Sequence, residues 1–157
     1  MENEKIVTTL CLILQNGKIL LGMKKRGFGK GRWNGFGGKV LAGETMEEAV
    51  KREVREEAGV KVLGLAKIGV IDFHWEDKSE IMEVNIFRSE IFSGEPKETE
   101  EMKPQWFGQD ELNFQEMWSD DKYWYPLFLG NKKFRGDFLF DKLDNVLKQE
   151  LKEVEEI

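Results

Sequence analysis

Residues 38–60, Gly-Lys-Val-Leu-Ala-Gly-Glu-Thr-Met-Glu-Glu-Ala-Val-Lys-Arg-Glu-Val-Arg-Glu-Glu-Ala-Gly-Val, put a glycine-rich turn before a short helix whose carboxylates face the wrong way for solvent. Thr45 reads as the N-cap, Glu48 closes a capping box, and Gly59 supplies the C-terminal stop. At about 100° per residue, Met46, Ala49, Val50 and Val54 form the apolar arc that must face a core. Glu53 and Glu57 project inside that arc and Glu56 lies at its edge, while Glu48, Lys51 and Arg55 take the opposite side. Clustered carboxylates repel, more so when partly desolvated, so something positive must offset them. Hard oxygen ligands on one helix face suit Mg²⁺, with Mn²⁺ the alternative. An acidic, solvated surface helix is the plain competing reading, and the inward phase of Glu53 and Glu57 tells against it.

Around this helix the chain alternates strand and turn signals. Ile6–Leu14 is a β-rich run, Asn16-Gly17 a hairpin turn, and Lys18–Met23 the returning strand. The segment from Gly27 to Gly43 is too rich in glycine for a regular element and reads as a structured loop around a short strand near Asn34–Phe36. After the helix at 46–58, Val62–Phe73 and Ile81–Phe92 read as two long strands joined by the charged turn Glu76-Asp77-Lys78. Trp106-Phe107 is a short strand. Asp121–Leu129 is a second helix with Pro126 in or near its first turn, and Phe134, Phe138 and Phe140 belong to a closing strand. Leu143, Val146, Leu147, Leu151 and Val154 have helical spacing. This order favours an α/β architecture, a mixed sheet with helices on both faces, in a single domain spanning 1–157.

The 157 residues carry a net charge of −6, which argues against a nucleic-acid polymer as partner, because such binders present a basic face. An acidic chain can still hold polyphosphate through a divalent cation. The single cysteine, Cys11, excludes an intramolecular disulfide and reads as core. No apolar run approaches the roughly 20 residues of a membrane span, and Met-Glu-Asn-Glu-Lys has no signal-peptide character. A cytosolic protein acting as a monomer is expected.

The same 38–60 stretch fits G-x5-E-x7-R-E-U-x-E-E-x-G-U, with U a bulky aliphatic, at every specified position: Gly38, Glu44, Arg52, Glu53, Val54, Glu56, Glu57, Gly59 and Val60 fill it. The pattern resembles the Nudix box, signature of hydrolases that cleave a nucleoside diphosphate linked to another moiety. The runs 20–29, 31–40 and 117–127 resemble the branch of that family that hydrolyses oxidised purine nucleoside triphosphates, and the similarity extends from about residue 6 to residue 140. The resemblance implies the α/β/α Nudix sandwich, a final strand in place of a C-terminal helix, and Mg²⁺-dependent conversion of substrates such as 8-oxo-dGTP and 2-oxo-dATP to monophosphate and pyrophosphate. A Nudix substrate of another kind, ADP-ribose or a dinucleoside polyphosphate, and a non-catalytic nucleotide-binding module are the alternatives.

Glu53, Glu56 and Glu57 are the natural metal ligands; the resemblance adds Glu101, and the Gly37 carbonyl could complete the sphere. Arg52 is expected to orient a box glutamate by a charge-assisted hydrogen bond, and Glu44 to brace the loop. Spacing does not say which carboxylate acts as base. In the basic cluster Lys24, Lys25, Arg26, Lys30 and Arg32, only Lys24 matches a substrate-contacting position, and it is expected to meet phosphate. A purine needs flat apolar surfaces and a few edge partners. Trp118 supplies an indole and Asn34 an amide, while Asp120-Asp121 supplies two carboxylates whose plain alternative is a helix N-cap. By resemblance Asn34, Asp120 and Asp121 hydrogen-bond the base and Trp118 stacks on it. Thr9, Phe28, Phe36, Gly37, Gly38, Phe73 and Met82 join the substrate-binding set, and Leu10, Trp124 and Phe140 match pocket positions that core packing explains as well. Val7 and Trp75 depart from the usual tyrosine and phenylalanine. His74, the only histidine, follows Phe73 in a strand and so points to the other face, away from the chemistry.

Overall fold

The computed structural model describes residues 4–157. The expected runs form β1 (Lys5–Gln15), β2 (Lys18–Lys24), the two-residue β3 (Trp33–Asn34), α1 (Met46–Ala58), β4 (Lys61–Trp75), β5 (Ile81–Ser93), β6 (Met102–Gly108), α2 (Asp121–Leu129), β7 (Lys133–Phe140) and β8 (Val146–Val154). All strands join one sheet in the order β3-β2-β1-β5-β4-β7-β8, with β6 on β2. The pairs β1/β5 and β4/β7 are parallel and the rest antiparallel, so the sheet is mixed as expected. Among the described residues no helix is long and apolar enough to cross a membrane.

Strand alternation sends β1 into two cores. Cys11 and Ile13 pack with Val50, Val54 and Ala58 of α1, whereas Leu12 and Leu14 join Trp124, Tyr125 and Phe128 of α2. One helix therefore covers each face. Helix α1 forms for the reasons legible in its sequence: Thr45 Oγ1 accepts from the Glu48 N–H, Glu48 Oε1 accepts from the Thr45 N–H, and Gly59 closes the helix at φ 69°. The Cys11 thiol is fully buried beneath α1, and burial pushes its pKa up to about 12.

Three expectations need correction or completion. Pro126 is the sixth residue of α2, in its second turn; the short helix holds through burial of Trp124, Tyr125 and Phe128. Asp120 precedes α2 but makes no side-chain cap, because its Oδ2 accepts from Trp124 Nε1 at 2.7 Å. The segment with helical spacing is strand β8: it pairs along the open edge of β7, and Gly136 leaves room for Leu151 against the core. A helix there would have left the β7 edge unpaired.

Thr45→Ala removes the side-chain half of the capping box, leaving the Glu48 carboxylate on the residue-45 N–H, and is expected to cost about 1 kcal/mol. Urea denaturation should show a lower midpoint with an unchanged slope; an unchanged midpoint would mean that the packed face alone holds the helix start.

Candidate active site

The helix brings its carboxylates to the glycine loop. Glu57 is 5% exposed, and its Oε1 accepts from the Gly37 N–H at 2.8 Å. Two glycines make this approach possible: a Cβ at Gly37 would lie 1.8 Å from the Thr9 carbonyl oxygen, and one at Gly38 would lie 2.7 Å from Glu53 Oε1. Arg52 forks onto Glu44 at 2.7 and 2.9 Å and donates to Glu53 Oε1 at 2.7 Å. Glu44 also accepts from the Leu41 N–H at 2.9 Å, so it braces the loop through Arg52. The Arg52 hydrogen bonds, with the Leu41 N–H, hold the Glu44 carboxyl down at about 2. Glu56 turns outward, with only a 3.5 Å contact to Arg52. Glu101 stands beside the cluster, gripped by Arg26 and lying 3.4 Å from Lys24 Nζ, which is itself 3.8 Å from Glu57 Oε2. A cation thus already sits between Glu57 and Glu101, and the donor set is entirely hard oxygen. These residues fit a divalent ion.

Glu57 and Lys24 also line a cleft of about 470 Å³ that continues to Asn34, Trp118, Asp120 and Asp121. Of the remaining expected residues, Thr9, Phe28, Gly37, Gly38, Phe73 and Met82 line it, as does Leu10. Phe36 does not: it is fully buried in the core beneath α1. Its backbone pairs with Cys11 on β1, whereas Asn34 pairs with Gly22 on β2. The chain changes partner strand at Gly35, so the side chains of Asn34 and Phe36 part company. Trp124 and Phe140 are core residues, and Trp124 serves the cleft by holding Asp120. His74 faces away from it, 3.2 Å from Asp137 on the other side of the sheet.

The polar groups of the cleft are few and underused. Asp120 and Asp121 are 1% and 2% exposed, yet Asp120 Oδ1, Asp121 Oδ2 and Thr9 Oγ1 have no partner in the protein. Burial raises the pKa of both aspartates, and for Asp121 the neighbouring Asp120 charge adds to it. Asn34 Oδ1 accepts from the Gly35 N–H at 2.8 Å, which leaves its NH₂ free to donate. Trp118 lies 5.0 Å from the Phe28 ring. An apolar-walled space with aromatic rings and unsatisfied edge groups suits a planar polar molecule.

Residues 4–128 match the NUDIX domain. The chain belongs to the Nudix family. It is 52% identical over 149 residues to an oxidized purine nucleoside triphosphate hydrolase from Danio rerio, covering 95% of this chain and 96% of that one. The same-named protein from Mus musculus is 52% identical over 147 residues, covering 94% of each. The crystal structure of a MutT protein from Bacillus halodurans superposes with a TM-score of 0.84 at 28% identity, over 94% of this chain and 97% of that one. In this Nudix chain Lys39, Lys78 and Glu80 also line the cleft. Their only sequence signal was position, at an unspecified place of the box before the helix and in the charged turn after β4.

Glu57 yields a test that needs no substrate. Its carboxyl is pushed up to about 8, chiefly by burial, against the Gly37 N–H and with the Glu53 charge adding to the rise. The folded chain therefore holds this proton more tightly than the unfolded chain. The stability it contributes is complete below the ordinary carboxylate pKa and is lost as pH rises through about 8. In cation-free buffer the urea midpoint should fall between about pH 5 and about pH 8.5, and Glu57→Gln should flatten that fall. An equal slope in both proteins would rule out Glu57 as its source.

Proposed function

We propose that this chain is a Mg²⁺-dependent hydrolase of oxidised purine nucleoside triphosphates, such as 8-oxo-dGTP and 2-oxo-dATP. It releases monophosphate and pyrophosphate and so clears damaged precursors before a polymerase uses them. The observation that carries this reading is a single cleft joining the carboxylate helix and Lys24 to a dry pocket with two buried, incompletely satisfied aspartates. The end-to-end match to two vertebrate proteins named for that activity supports it. The reading requires neither a membrane nor a nucleic-acid polymer nor a partner subunit, and it places a monomeric single domain in the cytosol.

Glu53, Glu56 and Glu57, with Glu101 and the Gly37 carbonyl, would hold Mg²⁺ or, in its place, Mn²⁺. When bound, such an ion draws negative charge off the phosphates. Arg52 keeps Glu53 aimed across the loop, and Glu44 keeps Arg52 in place. Lys24 leaves its carboxylate partners to meet phosphate. Trp118 and Phe28 offer flat faces to the base, and Asn34 donates to its edge. The aspartate pair divides the remaining edge contacts: a protonated member donates to a base oxygen, and an ionised one accepts from a base N–H.

Pyrophosphate release measured over oxidised and normal purine triphosphates, ADP-ribose and a dinucleoside polyphosphate tests the reading. The highest kcat/KM should fall on an oxidised purine triphosphate, and chelation should abolish turnover. Glu57→Gln should lower kcat at least about a hundredfold, because removing a ligand forfeits several kcal/mol of charge stabilisation. Faster hydrolysis of ADP-ribose than of any oxidised purine triphosphate would overturn the base assignment.

Two side-by-side carboxylates in a dry pocket cannot both ionise cheaply, so the pair works with one proton. Binding should weaken as pH rises past the raised pKa, when the second charge appears. Asp120→Asn and Asp121→Asn should have unequal effects on 8-oxo-dGTP and 2-oxo-dATP. Equal, small losses on both substrates, with affinity constant between about pH 6 and about pH 9, would exclude a shared proton.

A further inference from the structure

We infer that Asp144, in the turn between β7 and β8, is a positioning residue that presets the base-stacking wall of the cleft. It binds three segments remote from one another in sequence. Its Oδ1 accepts from Trp75 Nε1 at 2.8 Å, its Oδ2 accepts from Arg32 Nη1 at 3.1 Å, and its backbone carbonyl accepts from Ser119 Oγ at 2.7 Å. Each partner bears on the cleft. Trp75 lines it and stacks on Phe140 at 5.2 Å. Ser119 stands between Trp118 and Asp120 in the chain. The Arg32 guanidinium lies 4.3 Å from the centre of the Trp118 ring, so one face of that indole carries a cation that the protein itself provides.

The turn is built to hold this residue still. Asp141 Oδ1 accepts from the Leu143 and Asn145 N–H groups at 2.8 and 2.9 Å, and its Oδ2 accepts from Asn145 Nδ2 at 3.2 Å. Asp144 itself sits at φ 64°, a left-handed conformation that few side chains accept and aspartate tolerates. A rigid turn thus presents one carboxylate to an indole and a guanidinium. Without the carboxylate the Arg32 side chain has no anion to hold it over Trp118, and of the three bonds only the one from Ser119 to the backbone carbonyl remains. The wall would then sample other arrangements before substrate arrives.

A binding-competent population that falls to about a tenth raises the apparent dissociation constant about tenfold without changing the bound complex. Asp144→Asn keeps the tolerance for left-handed backbone and removes the charge; Trp75→Phe keeps a ring and removes the donor. The expected result, resting on the reading of Trp118 as the base-stacking wall, is a rise in KM of about tenfold for Asp144→Asn and a smaller one for Trp75→Phe. The kcat of each should stay within about twofold of the parent, and the exposed-turn control Leu143→Ser should leave both constants unchanged. A fall in kcat at constant KM, or no change in either, would overturn the inference.

Indole ¹⁵N–¹H spectra of the substrate-free protein test the brace independently of any activity. The Trp75 resonance, identified by its loss in Trp75→Phe, should exchange faster with solvent in Asp144→Asn, and the Trp118 resonance should shift or broaden. Unaltered indole signals would remove the brace itself. Altered signals in an enzyme that turns over only some other nucleotide would keep the brace and overturn the base assignment instead.

Discussion

The hydrogen bond from the Gly37 amide to the buried Glu57 carboxylate joins the two halves of this active site. One partner belongs to a loop with no regular structure and the other to the most firmly capped helix of the chain. Burying a carboxylate is costly unless hydrogen bonds and positive charge compensate it, and here a single amide and the Lys24 ammonium, which is shared with Glu101, do so only in part. The remaining deficit is what makes the helix face receptive to a divalent ion. Stability and chemistry pull in opposite directions at this one residue, and the capping box and apolar face of α1 supply the stability that Glu57 withholds.

Moving along the cleft, the electrostatic problem changes character. Around Glu57, charges are numerous and have partners: Arg52 with Glu44 and Glu53, Arg26 and Lys24 with Glu101. Around Asp120 and Asp121, charge is scarce: the Trp124 indole N–H bonds Asp120, and the Arg32 guanidinium acts on the pair without an ion-pair contact. The wet side suits phosphate and metal, whose own charges complete the pattern. The dry side suits a neutral ring whose edge supplies the missing donors and acceptors.

Much of this was legible in the sequence because the determinants are local. Thr45, Glu48 and Gly59 fix the limits of α1, and the phase of Glu53 and Glu57 against Ala49 and Val50 aims the carboxylates. Spacing alone misread the tail, where Val146, Leu147, Leu151 and Val154 fit a helix; only the family resemblance pointed to the strand, which depends on a pairing with β7 made in three dimensions. Phe36 was misplaced because the chain changes partner strand at Gly35, which a period-two reading cannot register. The cap reading of Asp120 failed on a contact with Trp124, four residues along the chain. The Asp144 brace spans 112 residues to Arg32, and nothing in either local sequence announces the other.

The burial of Cys11 bears on how such a protein endures the conditions that make its proposed substrates. A thiol whose pKa lies near 12 is almost wholly protonated at neutral pH, and only the thiolate reacts readily with peroxide or disulfides. Lying between the sheet and α1, it is also out of reach of glutathione. The chain therefore presents no sulfhydryl for sulfenic acid formation or mixed disulfides while folded. An oxidative burst that damages guanine in the nucleotide pool would leave this sulfur untouched.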